Sequence, residues 1–380
     1  MPDLGIRLSN MNPEERAAMI ERAAQALRNS QCVVLPTDTL YGLVTRADES
    51  GSALLNEMTG YPKTTNQPPM TLHLADLDEI LEHLVLDAAT VRRLVDRLVP
   101  GPVRLVIEQP EEAIDALCST LKIQRGLIDD GKYIALRVPD HPVFRQVLRS
   151  AGVACVARRL GAAVWATGEN PGTDLGPIPE SFSGDSAPQP ILVLDDGATL
   201  HQQNSTTVRL SMDGRIEVST DGVFSEREVL AHLERTILFV CTGNTCRSPM
   251  AQAIAQDLIS QQDPTGITTR IASAGVAAGE GMPATNEAIE VLGGMGIELK
   301  GHQSRLLTLP MIDQAEVIYT MTPSHAQAVM TMAPNSVHKV FVLDEHEGVP
   351  DPIGQGTEVY QHTAERLKEL IARRLMEIRI

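Results

Sequence analysis

The chain has 380 residues, more than one ordinary hydrophobic core accommodates, so two domains are expected. At 43% hydrophobic and 21% charged residues it is not a disordered chain, and 3% aromatics leave no stacking platform for single-stranded nucleic acid. A formal charge of -17 excludes a broadly basic, phosphate-coating surface but leaves room for a local anion pocket. The opening Met1-Pro2-Asp3-Leu4-Gly5 is not a basic region followed by an apolar run, and no window is apolar enough to span a bilayer. Neither a signal peptide nor a membrane partner is expected. Five cysteines make no disulfide framework, so a reducing cytoplasm is the expected compartment, with no metal site.

In chain order, Asn12-Pro13 opens a helix to about Leu27, with Ala17, Ile20, Ala24 and Leu27 at helical spacing. Residues 32–36 read as a strand running into the turn Thr37–Leu43. A helix near Glu49–Met58 and a Pro-rich loop to Pro69 follow. Strands are predicted at Thr71–Leu74, Val103–Glu108 and Tyr133–Val138, with helices at Val91–Leu98 and from Asp140-His141-Pro142. Val153–Thr167 reads as a central strand interrupted by Arg158 and Arg159, and Gly172–Pro190 as a loop. Strands at Ile191–Leu194 and Thr206–Leu210 and a helix at Ser225–Glu234 close a first domain, 1–235. From Thr236 strands and helices alternate regularly, which predicts an α/β fold with a doubly wound parallel sheet over 236–380. The last helix begins near Thr357.

The most informative stretch is Ile237–Met250. Four apolar residues form a strand, a polar loop follows, and Ser248-Pro249 begins a helix carrying Met250, Ala253, Ile254 and Leu258. A loop at a helix N-terminus attracts an anion. In Cys241-x5-Arg247-Ser248 the N–H groups of Thr242, Gly243, Asn244, Thr245, Cys246 and Arg247 are predicted to face three phosphate oxygens, with Arg247 as a fork. Such a field favours a thiolate. Ser248 is placed to donate to the sulfur, and Gly243 and Asn244 suit positive φ. The catalytic candidates are therefore Cys241 as nucleophile, Arg247 and, as general acid, Asp351 in Val349-Pro350-Asp351-Pro352. A plain turn aspartate is the alternative for Asp351.

Residues 236–380 resemble the low-molecular-weight protein phosphatases in this loop, in Ser273-Ala274-Gly275 and in Asp351-Pro352. The resemblance implies phosphorylated protein substrates and a phosphocysteine intermediate, with Asp351 first donating a proton and then activating water. It needs no cofactor. Tyrosine phosphatases of the family usually carry isoleucine where this chain has Thr245, whereas the branch of protein arginine phosphatases carries threonine. Ile353-Gly354 also lack the tyrosine pair of the former, and arginine phosphatases often have phenylalanine at the Ile353 position. Phosphoarginine is therefore the expected substrate, with phosphotyrosine as the alternative. Cys246 is either a packed thiol or, as the resemblance implies, the partner of Cys241 in a reversible disulfide.

Pro36-Thr37-Asp38-Thr39-Leu40-Tyr41-Gly42, Pro100-Gly101-Pro102, Arg137–His141 and Ser205–Val208 resemble the threonylcarbamoyl-AMP synthase (YrdC-like) family over about residues 10–235. That implies a twisted α/β sheet around a concave cavity, ATP, threonine and bicarbonate as ligands, and tRNA or another, double-stranded RNA as partner. Ligand-binding candidates are Thr37, Asp38, Thr39, Tyr41, Arg137, Asn170 and Ser205. The chain departs from the family where Lys-x-Arg becomes Thr59-Gly60-Tyr61 and Ser-Ala-Asn becomes Gly168-Glu169-Asn170. Losing two cations and adding a carboxylate weakens triphosphate binding by several kcal/mol, at about 1.5–3 kcal/mol for each charged hydrogen bond. The expectation is a domain with lost or altered adenylate synthesis, acting as a ligand sensor or recruiter. An active synthase with an accessory phosphatase is the alternative.

Overall fold

The computed structural model describes residues 5–59, 68–159, 190–219, 222–262, 267–299 and 301–377. It divides into two compact units, Met1–His232 and Leu233–Ile380.

The first unit is a mixed α/β fold. Its strands are β1 (Gly5–Arg7), β2 (Val33–Leu35), β3 (Gly42–Arg46), β4 (Thr71–His73), β5 (Val103–Glu108), β6 (Tyr133–Arg137), β7 (Cys155–Arg159), β8 (Leu192–Asp195), β9 (Thr206–Leu210) and β10 (Ile216–Val218). They form one sheet in the order β1-β8-β2-β3-β7-β4-β6-β5-β9-β10. The helices are α1 (Pro13–Arg28), α2 (Glu49–Thr59), α3 (Ala89–Leu98), α4 (Glu111–Leu121), α5 (Pro142–Ala151) and α6 (Glu226–Ala231). Asn12 caps α1: its side chain accepts from the Glu15 N–H at 2.9 Å while the Glu15 carboxylate accepts from the Asn12 N–H at 3.0 Å. The apolar stripe of α1, Ile20, Ala23, Ala24 and Leu27, packs with Val143, Phe144 and Val147 of α5 against β2, β3 and β8.

Three features of this unit differ from the sequence reading. β3 begins at Gly42, inside the stretch read as a turn, because its backbone pairs antiparallel with both β2 and β7. Helix α4 has too short an apolar face, Ile114, Leu117 and Cys118, to stand out locally. Arg158 and Arg159 do not interrupt β7: they pair with Leu43 and Gly42, and only their side chains leave the core. The remainder of the predicted 153–167 strand, and residues 172–189 of the predicted loop, lie outside the described residues.

The second unit has β11 (Arg235–Cys241), β12 (Thr269–Gly275), β13 (Val317–Thr320) and β14 (Val340–Val342), all parallel, in the order β12-β11-β13-β14. Around them run α7 (Arg247–Gln262), α8 (Asn286–Gly294), α9 (Leu309–Gln314), α10 (Pro323–Met332) and α11 (Thr357–Glu377). Along β11, Ile237, Phe239 and Cys241 enter a core with Met250 and Ile254 of α7, Leu292 of α8 and Tyr360 and Leu367 of α11. Leu238 and Val240 enter a second core with Ile312 of α9 and Val329 of α10. A strand covered on both faces reads as a continuous apolar run, as Ile237–Val240 does. The connections after β11 and β13 leave toward opposite faces. That switch point opens a crevice at the carboxyl end of β11, where Cys241 lies.

Candidate active site

The loop after β11 is turned inside out by its carbonyls. Those of Cys241, Thr242 and Thr245 accept from the N–H groups of Val276, Ala277 and Thr285 at 2.9, 3.0 and 3.0 Å, and that of Cys246 accepts from Met250 N–H at 3.1 Å. The Asn244 carbonyl accepts from His302 Nε2 at 2.7 Å. In a trans peptide C=O and the next N–H point opposite ways. The N–H groups of 242, 243, 245, 246 and 247 therefore face the hollow of the loop. The Asn244 N–H faces inward too, donating to Cys241 Sγ at 3.3 Å.

Asn244 ties the loop together. It is fully buried with φ +54°, and its side-chain amide donates to Ser248 Oγ and Ser273 Oγ, both at 2.9 Å. Its carbonyl oxygen accepts from the Arg305 N–H at 3.0 Å. Gly243, by contrast, does not adopt positive φ, so the tight turn rests on Asn244, whose short polar side chain tolerates that region. Ser248 Oγ accepts from the Asn244 amide, lies 2.9 Å from Cys241 Sγ and also has the Ala274 carbonyl within 3.4 Å, so its hydroxyl can serve the sulfur. The helix that follows begins at Arg247, two residues before Pro249, the first helical position expected from the sequence.

Arg247 is 4% exposed and reaches across to the loop before α11. Its Nη1 donates to the Val349 carbonyl at 3.0 Å, and its Nη2 pairs with the Asp351 carboxylate. Its Nε is buried with no acceptor among the described residues. The acid loop is held by the Val349 N–H on the Met321 carbonyl at 2.6 Å, by the Gly348 N–H on the Asp344 carbonyl, and by Arg366 of α11 on the Asp344 carboxylate. Asp351 itself is open to solvent.

Sequence reasoning did not single out two histidines. His302, held below its ordinary pKa by burial, keeps its Nε2 proton on the Asn244 carbonyl. His325, on α10, bridges Thr242 Oγ1 from Nε2 and Thr322 Oγ1 from Nδ1, both at 2.8 Å. Burial first, then the Arg247 charge, holds its pKa down against the opposing pull of Asp351. The two lie 58 and 83 residues from their loop partners, so no local pattern marks them. Thr245 is half-buried with Oγ1 3.6 Å from Cys246 Sγ, and Cys246 Sγ lies 3.3 Å from the Tyr360 hydroxyl. All five cysteines are unpaired thiols.

In the first unit, Asp38 and Arg137 meet at 2.6 Å, both buried, and Arg137 also donates to Thr39 Oγ1 at 2.7 Å. Thr37 Oγ1 caps the turn, donating to the Leu40 carbonyl and accepting from the Thr39 N–H. The Tyr41 hydroxyl donates to the Gly197 carbonyl at 2.7 Å and accepts from the Asp196 N–H, so that hydroxyl fastens the turn to the end of β8. Thr37, Thr39, Tyr41, Arg137 and Ser205 border one pocket. Asn170 lies outside the described residues.

Residues 236–379 match the family described as low molecular weight phosphotyrosine protein phosphatase, and residues 25–222 match the Sua5/YciO/YrdC family, described as telomere recombination. The protein-arginine-phosphatase of Bacillus subtilis (strain 168) is 37% identical over 140 residues, covering 36% of this chain and 91% of that protein. That of Geobacillus stearothermophilus is 39% identical over 142 residues, with 36% and 91% covered. The probable low molecular weight protein-tyrosine-phosphatase EpsP of Ralstonia nicotianae is 33% identical over 136 residues, with 35% and 89% covered. The chain thus belongs to both families, joining a Sua5/YciO/YrdC domain to a low-molecular-weight protein phosphatase domain.

Proposed function

We propose that the second unit is a protein arginine phosphatase that works through a phosphocysteine. The observation that carries this is the nest around Cys241, with inward N–H groups, the Ser248 hydroxyl 2.9 Å from the sulfur and a buried Arg247 whose Nε has no acceptor among the described residues. A buried donor left unsatisfied costs about 1–3 kcal/mol, and a phosphate oxygen in the nest relieves it. In the first step Cys241 Sγ attacks phosphorus, the P–N bond breaks, and protonated Asp351 gives its proton to the departing guanidino nitrogen. In the second, Asp351 takes a proton from water, the water oxygen attacks phosphorus, and the S–P bond breaks with Ser248 donating to the sulfur.

The choice of arginine rests on Thr245, on the exposed Ile353 after the acid in place of a tyrosine, and on the two relatives named protein-arginine-phosphatases. Acid quenching during turnover of a phosphoarginine peptide should leave phosphate on Cys241, and more of it in Asp351→Asn, where water activation is lost. Turnover surviving in Cys241→Ala contradicts the assignment.

For the first unit the departures Thr59-Gly60-Tyr61 and Gly168-Glu169-Asn170 support ligand binding without adenylate synthesis. On this reading ATP, threonine and bicarbonate do not react there, and no RNA partner is assigned. Pyrophosphate release from ATP that requires both threonine and bicarbonate contradicts this. Five unpaired thiols suit a reducing cytoplasm.

A further inference from the structure

Asp351 lies on a stretch, residues 343–356, that leaves β14 and returns as α11. Leu343 and Val349 anchor it by full burial. Between them Asp344-Glu345-His346-Glu347-Gly348 offers no apolar side chain, so charge and hydrogen bonds set its path.

Asp344 organises that path. It is 6% exposed although it is ionisable. Its Oδ1 accepts from the His346 N–H at 3.1 Å, and its carbonyl accepts from the Gly348 N–H at 3.1 Å. Its Oδ2 accepts from Arg366 of α11, from Nε at 3.2 Å and from Nη2 as well. Those hydrogen bonds hold the Asp344 carboxyl below the usual carboxylate range, so it is charged at neutral pH. Arg366 Nη2 also reaches the exposed Glu347 at 3.3 Å. Two turns further along α11, Arg374 donates to the carbonyls of Val342 and Leu343 at 3.0 and 3.4 Å and to Glu345 at 2.8 Å. A buried carboxylate stripped of its cation is strongly disfavoured, so the stretch is fastened to the helix.

The tie on the catalytic side is of another kind. Arg247 holds the Val349 carbonyl at 3.0 Å and pairs with Asp351. In the mechanism above a phosphoryl group takes that guanidinium, and it does so before the leaving group needs its proton. On the N-terminal side of Asp351 two ties are then left. They are the Val349 N–H on the Met321 carbonyl at 2.6 Å and the clasp of Arg366 on Asp344.

We propose that Arg366 and Asp344 are positioning residues for the general acid: their clasp keeps Asp351 within reach of the leaving atom once phosphate has taken Arg247. This rests on Asp351 being the acid, so the experiment tests that assignment separately. Aryl phosphates make it independent of whether arginine or tyrosine carries the natural phosphate. Cys241 Sγ attacks phosphorus, the P–O bond breaks, and its electron pair leaves on the phenolate oxygen, which takes the Asp351 proton. Phenolate needs that proton, whereas dinitrophenolate leaves without it.

The measurement is kcat/KM, which reports this half-reaction, for phenyl phosphate and dinitrophenyl phosphate. It compares the full-length parent with Asp351→Asn, Arg366→Gln and Arg366→Lys. Since a misplacement of about 1 Å lowers rates roughly 10²-fold, Arg366→Gln should lose roughly tenfold or more on phenyl phosphate and less than about threefold on dinitrophenyl phosphate. Arg366→Lys keeps the charge without the fork and should fall between, and it carries the comparison if Arg366→Gln does not fold. Circular dichroism melts report folding. Asp351→Asn should show the same selective loss, and a larger one. No loss in the Arg366 variants, or equal loss on both esters, overturns the clasp while leaving Asp351 as the acid. Equal loss on both esters in Asp351→Asn removes the acid assignment, and the clasp with it.

Discussion

Arg247 and Asp351 form an ion pair across the mouth of the catalytic loop, so the residue expected to grip phosphate is held by the residue expected to protonate the leaving group. A bound phosphate must compete with that carboxylate for the same guanidinium, and on winning it frees Asp351 to face the leaving group. The two roles separate in one variant. Asp351→Asn should bind inorganic phosphate more tightly than the parent, since the competing charge is gone, while turnover falls by roughly 10²–10⁴-fold as general acid–base help is lost. Competitive inhibition constants for phosphate, measured beside kcat, check both signs. Weaker phosphate binding contradicts the competition.

Gly275 lies at the end of β12, directly against the loop. A Cβ there would meet the Thr242 carbonyl oxygen, and would stand 2.9 Å from the Asn244 N–H nitrogen, both backbone atoms that cannot swing aside. Gly275→Ala should therefore displace the nest, lowering kcat about 10²-fold, the usual penalty of a misplaced site, and destabilising the unit by about 1–3 kcal/mol. Steady-state kinetics and urea unfolding measure the pair. Unchanged kcat means the loop tolerates the shift.

His325 and His73 both sit below their ordinary pKa, His73 at about 3. The sign follows from proton uptake. Near neutral pH both rings are neutral folded and unfolded, and contribute no pH slope. As pH falls below about 6.5 the unfolded chain takes up protons that the folded chain refuses, so stability declines, for His73 until about pH 3. His73→Gln should flatten the acid-side slope of the first unit, and His325→Gln that of the second. Urea unfolding at pH 7 and pH 5 checks this, and an unaltered slope in both variants contradicts it.

Cys246 lies in the loop with its sulfur near the Tyr360 hydroxyl, whose pKa burial and then that contact raise to about 12. If Cys246 traps an oxidised Cys241 as a disulfide, thiol should restore the peroxide-treated parent but not Cys246→Ser. Equal recovery makes Cys246 a packed thiol only.

The catalytic loop was legible because its chemistry is local. Strand, Cys241-x5-Arg247, Ser248 and helix follow one another within one short stretch, and β11 announces itself as a continuous apolar run. What escaped was set by contacts distant in sequence. His302 and His325 earn their places only once β12, β13 and α10 bring them to the loop. Arg158 and Arg159 read as strand breakers because a charge in an apolar run looks like an end. In the fold they stay in register with β3, and their side chains reach neutral oxygens far off in sequence, Arg158 that of Asn56 and Arg159 that of Asn204. Asn244 stands out in the sequence for its backbone alone, whereas its side chain ties the start of α7 to β12 and to the stretch at Arg305.

The central claim, that the phosphoryl group comes from arginine, is tested most directly by kcat/KM for phosphoarginine and phosphotyrosine peptides with the parent and with Thr245→Ile. The account predicts that the parent prefers phosphoarginine and that Thr245→Ile loses this preference, moving toward phosphotyrosine. Equal preference in both proteins, or a parent faster on phosphotyrosine, contradicts it.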